Sequence, residues 1–384
     1  MITFNKRRIL IWGGLSLVVI LAGAGWHISQ LQARSMLDGA AAELGLLLSL
    51  RRGAVENYFD TVRAEVTFWS LNDTLITAQE ELADAYAEQL PERLRELYIN
   101  NNPYPFGSRS ELADAEDGSR YSTAHRSFHS IAKSFVVERG YYDFFLIDRQ
   151  GDIVFTVEKE DDFATNLVDG PWADTGLAEV YRLALVSGGQ RTVVFSDFAR
   201  YGPSDDAPAL FAGVALTRPD GSISGVLAVQ VPIERIQSIM QFTAGMGDTG
   251  ETYLVGEDYL MRSDSRFSDV STTLDKRVQT ATVELALAGA TGVQFTLDYR
   301  DIEVLSAYTR VDLDGFSWAV MAEIDRAELL SGRGRDLITL LVGELMIFLL
   351  ALWTFTFLGV SNLIFGSGLP IDTVLSGAVD DLVP

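Results

Sequence analysis

Hydrophobic and polar positions change their period several times along this chain. Residues 9–28 form a near-continuous apolar run behind Lys6, Arg7 and Arg8, and residues 337–360 form a second with Glu344 as its only charge. Each has the roughly 20 apolar residues a helix needs to cross a bilayer. A cleaved signal peptide has the same basic start, with Ala22-Gly23-Ala24 as its candidate cleavage site; Trp26 and the helical continuation favour an uncleaved anchor. The basic cluster predicts a cytoplasmic N-terminus over residues 1–8. Between the runs, from Ser29 to Asn100, apolar residues such as Leu44, Leu48, Val55, Phe59, Val62, Val66 and Trp69 recur at three- and four-residue steps. That period predicts long helices over 29–100, with Asn72-Asp73 as a break that caps a second helix reaching Tyr98.

The next change comes at Tyr121. Phe128, Ile131, Phe135 and Val136 are spaced for one face of a helix that ends at Gly140. Two strand-like runs follow, DFFLID and DIVFTV, joined through Gly151 as a tight hairpin. A short helix over 176–187 and strands at 192–198, 209–217 and 224–231 come next. Arg218-Pro219-Asp220-Gly221 supplies the turn between the last two. A weaker copy of this order begins at Glu251-Thr252-Tyr253-Leu254-Val255 and ends at Asp314-Gly315 followed by Phe316 to Ile324. The pattern predicts an α+β chain: a long N-terminal stalk helix and two tandem antiparallel sheet units, 101–235 and 236–336, flanked by transmembrane helices and followed by a cytoplasmic tail over 361–384.

Composition narrows the function. The net charge is −23, with 53 acidic against 30 basic residues, which excludes nucleic acid as a natural partner. No cysteine is present, so there is no disulfide, thiolate metal site or cysteine nucleophile. No Ser-His-Asp ordering or paired-carboxylate motif stands out, and no enzyme is expected. The segment Gly245 to Gly250 lacks the Lys-Ser/Thr ending of a phosphate loop and precedes a strand, so it reads as a turn.

The phrases GYYDFFLIDRQGDIVFTV, DFATNL, GPW and GMGDTGETYLVGEDYLMRSDSRF, set between two apolar runs, resemble the double Cache (dCache) sensor region of bacterial transmembrane receptors such as methyl-accepting chemotaxis proteins and nucleotide cyclases. The resemblance covers residues 30 to 330. It implies PAS-like units, the membrane-distal one binding a small ligand and the proximal one relaying the change. It further implies a two-pass protein of the bacterial inner membrane with a periplasmic central region, acting in chemotaxis or related signalling, as a homodimer and without a cofactor. No signalling domain follows residue 360, so either the chain is truncated or a separate cytoplasmic protein supplies the output. The alternative is an envelope protein that docks a partner and has no small-molecule ligand.

Candidate ligand residues concentrate on the helix from Tyr121. Arg126 can hold a carboxylate in two parallel hydrogen bonds, and Tyr121, Phe128 and His129 can enclose a ligand. Amino-acid-sensing dCache domains are similar here, with Tyr, then Arg five residues on, then an aromatic pair. Tyr142, Asp143, Trp172 and Asp197 complete the candidate set, Trp172 either as a lid or as core. The other reading of the helix puts Phe128 in the core and pairs Arg126 with a surface acid. His125 and His129 have a metal-compatible spacing, but no third ligand is evident and Arg126 disfavours a cation, so no metal is expected. Met261, Arg262, Asp264 and Arg266 read as a charged, exposed strand end.

Overall fold

The computed structural model describes residues 6–187, 192–242, 245–330, 343, 345–349, 352 and 353. It divides into two units: Ala41–Arg326, and residues 1–40 together with those from Ala327 onward. Among the described residues no helix is long and apolar enough to cross a membrane. The first expected span is helical backbone at the start of α1 (Lys6–Ser70), but the side chains of 9–15, 17, 18 and 21 lie outside the described residues. Most of the second expected span, 337–360, lies outside them too.

Within Ala41–Arg326, α1 buries Leu44, Leu48, Val55, Phe59, Val62 and Val66, the period read from the sequence. Asn72 caps α2 (Asp73–Ala87) by accepting from Thr74 N at 2.9 Å. The second helix stops well before Tyr98. Leu90 and Pro91 restart the chain as α3 (Pro91–Arg95), which runs into a single π-helical turn over Glu96–Asn100. Ser119 then caps α4 (Arg120–Arg139), and Gly140 ends it at φ +72°, where a side chain would be strained.

The distal sheet is antiparallel throughout. Its order is β2 (Ile153–Thr156), β1 (Asp143–Asp148), β6 (Ile223–Val231), β5 (Ala207–Thr217), β3 (Val194–Phe195), with β4 (Ala199–Tyr201) also on β5. Side chains alternate between its faces. Phe144 points to α4 and α1, with ring centroids 5.9 Å from Phe128, 5.9 Å from Phe135 and 6.2 Å from Trp69. Phe145 and Ile147 point the other way, into a core with Leu177, Val180, Tyr181 and Ala184 of α5 (Gly176–Val186). Ile131, expected on the apolar face of α4, is exposed.

After α6 (Ile233–Met240) the proximal sheet repeats this plan in the order β7 (Glu251–Gly256), β10 (Phe316–Asp325), β9 (Glu303–Leu313), β8 (Gly292–Leu297). Here α7 (Ala281–Leu287) stands where α5 stands in the distal unit. In both units the first strand pairs with the last, β1 with β6 and β7 with β10. The internal duplication is therefore one of topology.

The two sheets meet at a buried joint. Arg262, read from its neighbours as exposed, is only 3% accessible and grips Asp197 of the distal unit with Nε at 3.1 Å and Nη2 at 2.8 Å. Asp197 Oδ1 also accepts from Trp318 Nε1 at 2.8 Å, and Phe198 stacks on the Trp318 ring 6.0 Å away. The ion pair forms because both acids in reach, Asp197 and Asp258, come from loops, while Arg262 extends from the segment that follows β7.

Candidate functional site

The candidate set from the sequence falls into three places. Tyr121, Phe128 and His129 are on the α4 face of the distal sheet, inside a filled core. Tyr121 is fully buried and donates to Val154 O at 2.7 Å, with the Tyr98 ring 5.7 Å away. Phe128 sits against Phe155 at 5.3 Å. The two histidines stack 4.9 Å apart, and each spends a ring N–H on a carbonyl: His125 Nδ1 on Ala113 O and His129 Nε2 on Ser110 O, both at 2.7 Å. These bonds place a proton on Nδ1 of His125 and on Nε2 of His129. Burial, with Lys159 beside them, holds the His125 imidazole well below its ordinary value and lowers His129 to about 4.

Arg126 is elsewhere. Its side chain is 58% exposed and pairs with Asp114 at 2.7 Å, so it faces solvent and not the buried cluster. Asp197 is in the joint between the sheets. The physical reason for the first departure is the helical turn: about 100° per residue sets Arg126 roughly 140° around α4 from Tyr121.

Tyr142, Asp143 and Trp172 do converge, on the α5 face of the distal sheet. Asp143 shares the face of Phe145 and stands directly opposite Gln230 in the β1–β6 ladder. Asp143 Oδ1 accepts from the backbone N–H of Phe144, Val157 and Glu158 at 2.7, 2.8 and 3.1 Å. Gln230 Nε2 donates to Ser204 Oγ at 3.2 Å, and Ser204 donates to Glu160 Oε2 at 2.6 Å. Tyr142 donates to Glu160 Oε1 at 2.5 Å, and Tyr201 to Asp162 Oδ2 at 2.6 Å. Trp172 borders this group: its ring centroid is 6.4 Å from Tyr201, its Nε1 donates to Asp161 O at 3.3 Å, and a Cβ at Gly202 would lie 2.8 Å from its ring.

This cluster gathers three buried carboxyl groups. Asp143, Glu160 and Asp162 are all buried, and none makes an ion pair among the described residues. Burial raises all three. Asp143 stands well above the carboxylate range, pushed further by Asp162, Glu158 and Glu160. Glu160 is raised to about 7, Asp162 to about 6. Lys159, at the same end of the sheet, is fully buried with φ +56° and lowered to about 7 by burial. Its ammonium turns to Val157 O at 2.9 Å and to His129 Nδ1 at 3.4 Å.

Asp143 Oδ2, Asp162 Oδ1 and Gln230 Oε1 are buried with no hydrogen-bond partner among the described residues. An unmade bond of this kind costs about 1–3 kcal/mol, so three together on one sheet face ask for an explanation. Sequence reasoning missed Glu160, Asp162, Tyr201, Ser204 and Gln230. A signal for one was present: Gln230 is the lone amide in the apolar strand ISGVLAVQV.

A family model described as a Cache domain (dCache_1) matches residues 67–333. Solved structures similar to the chain include the ligand-binding domain of the Campylobacter jejuni chemoreceptor Tlp3 in complex with L-valine, at 13% identity over 77% of this chain and 97% of that chain, TM-score 0.45. The periplasmic sensory domain of Campylobacter jejuni Tlp1 matches at 14% identity over 65% and 95%, TM-score 0.41. The ligand-binding domain of the Pseudomonas aeruginosa PAO1 amino acid chemoreceptor PctB with L-Arg matches at 14% identity over 71% and 97%, TM-score 0.36. No curated protein matches the chain. The family match spans both sheet units and the joint between them, and the chain belongs to the Cache domain family.

Proposed function

We propose that this chain is the sensory region of a transmembrane receptor, and that its small-molecule ligand binds on the α5 face of the distal sheet. The observation that carries the reading is the set of unpartnered buried oxygens on Asp143, Asp162 and Gln230. Ligand contacts come from Tyr142, Asp143 and Trp172 together with Glu160, Asp162, Tyr201, Ser204 and Gln230. The relay follows the chain. Tyr201 and Ser204 touch the carboxylates of the cluster, and Asp197, a few residues earlier in the same segment, is held by Arg262 of the proximal unit. A ligand that re-pairs Asp162 moves Tyr201, and the bonded segment passes the movement to the joint.

The apolar runs at 9–28 and 337–360 support an inner-membrane, two-pass arrangement with Ser29 to Asp336 periplasmic, and a role in chemotaxis or related signalling through a cytoplasmic partner. Leu46, Leu50 and Phe68 are exposed along α1, which supports pairing of two copies there. No catalytic constellation enters this reading. The test is a thermal-shift screen of the full chain in detergent against small polar metabolites, repeated with Tyr201→Phe. A hit whose shift shrinks in the variant is the expected result. Hits indifferent to Tyr201→Phe, Asp162→Asn and Gln230→Met alike would remove the site from this face.

A further inference from the structure

We propose that the chain carries a second small-molecule site, a cleft between α1, the end of α4 and α6 that takes a small monocarboxylate with a short apolar tail. The cleft shares no residue with the cluster on the α5 face of the distal sheet, so this site stands or falls apart from that one.

Helical spacing builds the walls. Ala54, Tyr58, Thr61, Val62 and Glu65 follow each other at three- and four-residue steps and occupy one face of α1. Arg235, Ser238 and Ile239 stand on one face of α6 by the same rule. Glu138, Arg139 and Tyr141 close the cleft where α4 ends. The enclosed space is about 500 Å³, in the range of small-molecule pockets.

The unspent polar groups at this cleft set the sign of what fits. The Arg235 guanidinium makes no hydrogen bond or ion pair among the described residues; Ser238 Oγ donates at 2.8 Å to the Arg235 carbonyl, not to its side chain. The Tyr58 hydroxyl has no hydrogen-bond partner among them either. Burial raises Tyr58 to about 12, Arg235 opposing the rise and Glu65 and Glu234 adding to it, so the hydroxyl keeps its proton and can donate. A guanidinium fork beside a phenol O–H matches the two oxygens of a carboxylate.

The acids of the cleft do not compete for that role. Glu65 is spent: it accepts from Tyr141 Oη at 2.7 Å and from Arg139 Nη1 at 3.1 Å. Glu138 and Glu234 are exposed to water, where they disfavour a second negative charge on the ligand without excluding the first. Arg51, one turn before Ala54 on α1, adds a further cation. It is buried, donates through Nη2 to Phe242 O, leaves Nε unpaired, and meets no acid among the described residues. An incoming ammonium would face these two uncompensated guanidinium groups. Ala54, Val62, Ile239 and the Tyr58 ring can receive the apolar tail.

The position gives such a ligand a use. β6 ends at Val231 and the chain passes through Pro232 into α6, which carries Arg235. A carboxylate held by Arg235 and Tyr58 ties this exit from the distal sheet to α1. It acts on the connection between the units and not on recognition in the distal sheet.

Thermal shift and calorimetry on the full chain in detergent test the site, at constant ionic strength. The probes are butyrate, benzoate, the neutral butyramide and butylammonium. At least one of the two carboxylates should bind and raise the melting temperature, and butyramide and butylammonium should not. Arg235→Gln should weaken the carboxylate at least tenfold and Tyr58→Phe severalfold. Ile239→Trp, which fills the cleft, should abolish binding. Asp162→Asn, in the distal cluster, should leave it within about twofold.

If neither carboxylate binds, the proposal fails. If butyramide binds as tightly as butyrate, the charge assignment fails. Carboxylate binding lost in Asp162→Asn but kept in Arg235→Gln and Tyr58→Phe would place the ligand in the distal sheet instead. Silent probes, with Arg235→Gln lowering the dimer fraction in light scattering, would make the cleft a contact between copies and overturn the small-molecule site.

Discussion

The two sheets of this chain bury carboxylates in similar numbers and treat them differently. In the proximal unit Glu323 accepts from Tyr253 at 2.9 Å and from Ser306 at 2.7 Å. Glu251 takes the Tyr299 hydroxyl on both oxygens, at 2.9 and 2.7 Å. Asp298 holds Arg300 at 2.6 Å, and Arg300 reaches on to Asp325 at 2.8 Å. None of these oxygens is left without a partner. In the distal unit Asp143 and Asp162 each keep one oxygen bare. Buried polar networks are stable when complete and costly when they are not. A complete network fixes a fold. An incomplete one in the twin position is what a site looks like when its last partner comes from outside.

The joint between the units offers the largest test of this contrast. Arg262 is buried, and burial alone would lower its charge; Asp197 and Asp258 outweigh that and hold it above its ordinary value. Arg262→Met leaves Asp197 with the Trp318 indole N–H and the backbone N–H of Phe198, both on Oδ1. Breaking a buried pair typically costs about 3–5 kcal/mol. Asp197 is partly accessible, so a loss of about 3 kcal/mol is expected in urea unfolding. The transition should also broaden or split as the distal and proximal units unfold apart. A variant that unfolds in one transition at the parental midpoint would show that the joint does not couple the sheets.

The second test sets a fully partnered buried acid against one with a bare oxygen. Glu323→Gln forces an amide N–H₂ or a poorer acceptor onto the Tyr253 and Ser306 hydroxyls, and should cost about 1–3 kcal/mol. Asp162→Asn should cost under about 1 kcal/mol in the free protein, since it removes like-charge repulsion at an oxygen with no partner to lose. The pH dependence follows the same acids. Burial raises Glu160 to about 7, Asp162 to about 6 and Glu323 to about 7. Between the ordinary carboxylate range and those values the folded chain holds more protons than the unfolded one. Their stabilisation is complete below that range and is lost as pH rises through about 6 to 7, each tenfold difference in proton affinity between the two states being worth about 1.4 kcal/mol. Relative to the parent, Asp162→Asn should therefore flatten the part of the pH dependence of the urea midpoint that lies below about pH 6. Equal losses for Glu323→Gln and Asp162→Asn would erase the distinction between the units.

Much of the frame was legible because it is written locally. The cap at Asn72, the left-handed Gly140, the Arg218–Gly221 turn and the Asp314-Gly315 turn each depend on a few adjacent residues. The repeated strand order came through for the same reason. The site was hidden because it is assembled from β1, the loop after β2, the segment after β4 and the end of β6, which are far apart in the chain. Alternation puts Asp143 and Phe145 on one face but does not say whether α4 or α5 covers it. Glu160 and Asp162 stand in a polar run that reads as solvated loop, and only the fold buries them. Arg262 was misread for a similar reason: its sequence neighbours are charged, and its principal partner is 65 positions away.

The smallest expected effect belongs to the residue the sequence made most prominent. Arg126 is solvent-facing and its partner Asp114 lies in the loop before α4. Exposed pairs of this kind contribute about 0.2–1 kcal/mol, and often nothing measurable. Arg126→Ala should change the stability measured in urea by less than about 0.5 kcal/mol, since alanine also suits an exposed helical position. It should leave the affinity for whichever metabolite binds the parent unchanged within about twofold, because the α4 face and the α5 face are opposite sides of one sheet. Calorimetry with Arg126→Ala beside Asp162→Asn decides it. A tenfold loss at Arg126 with none at Asp162 would move the ligand to the α4 surface, and the bare oxygens of the distal sheet would then need another explanation.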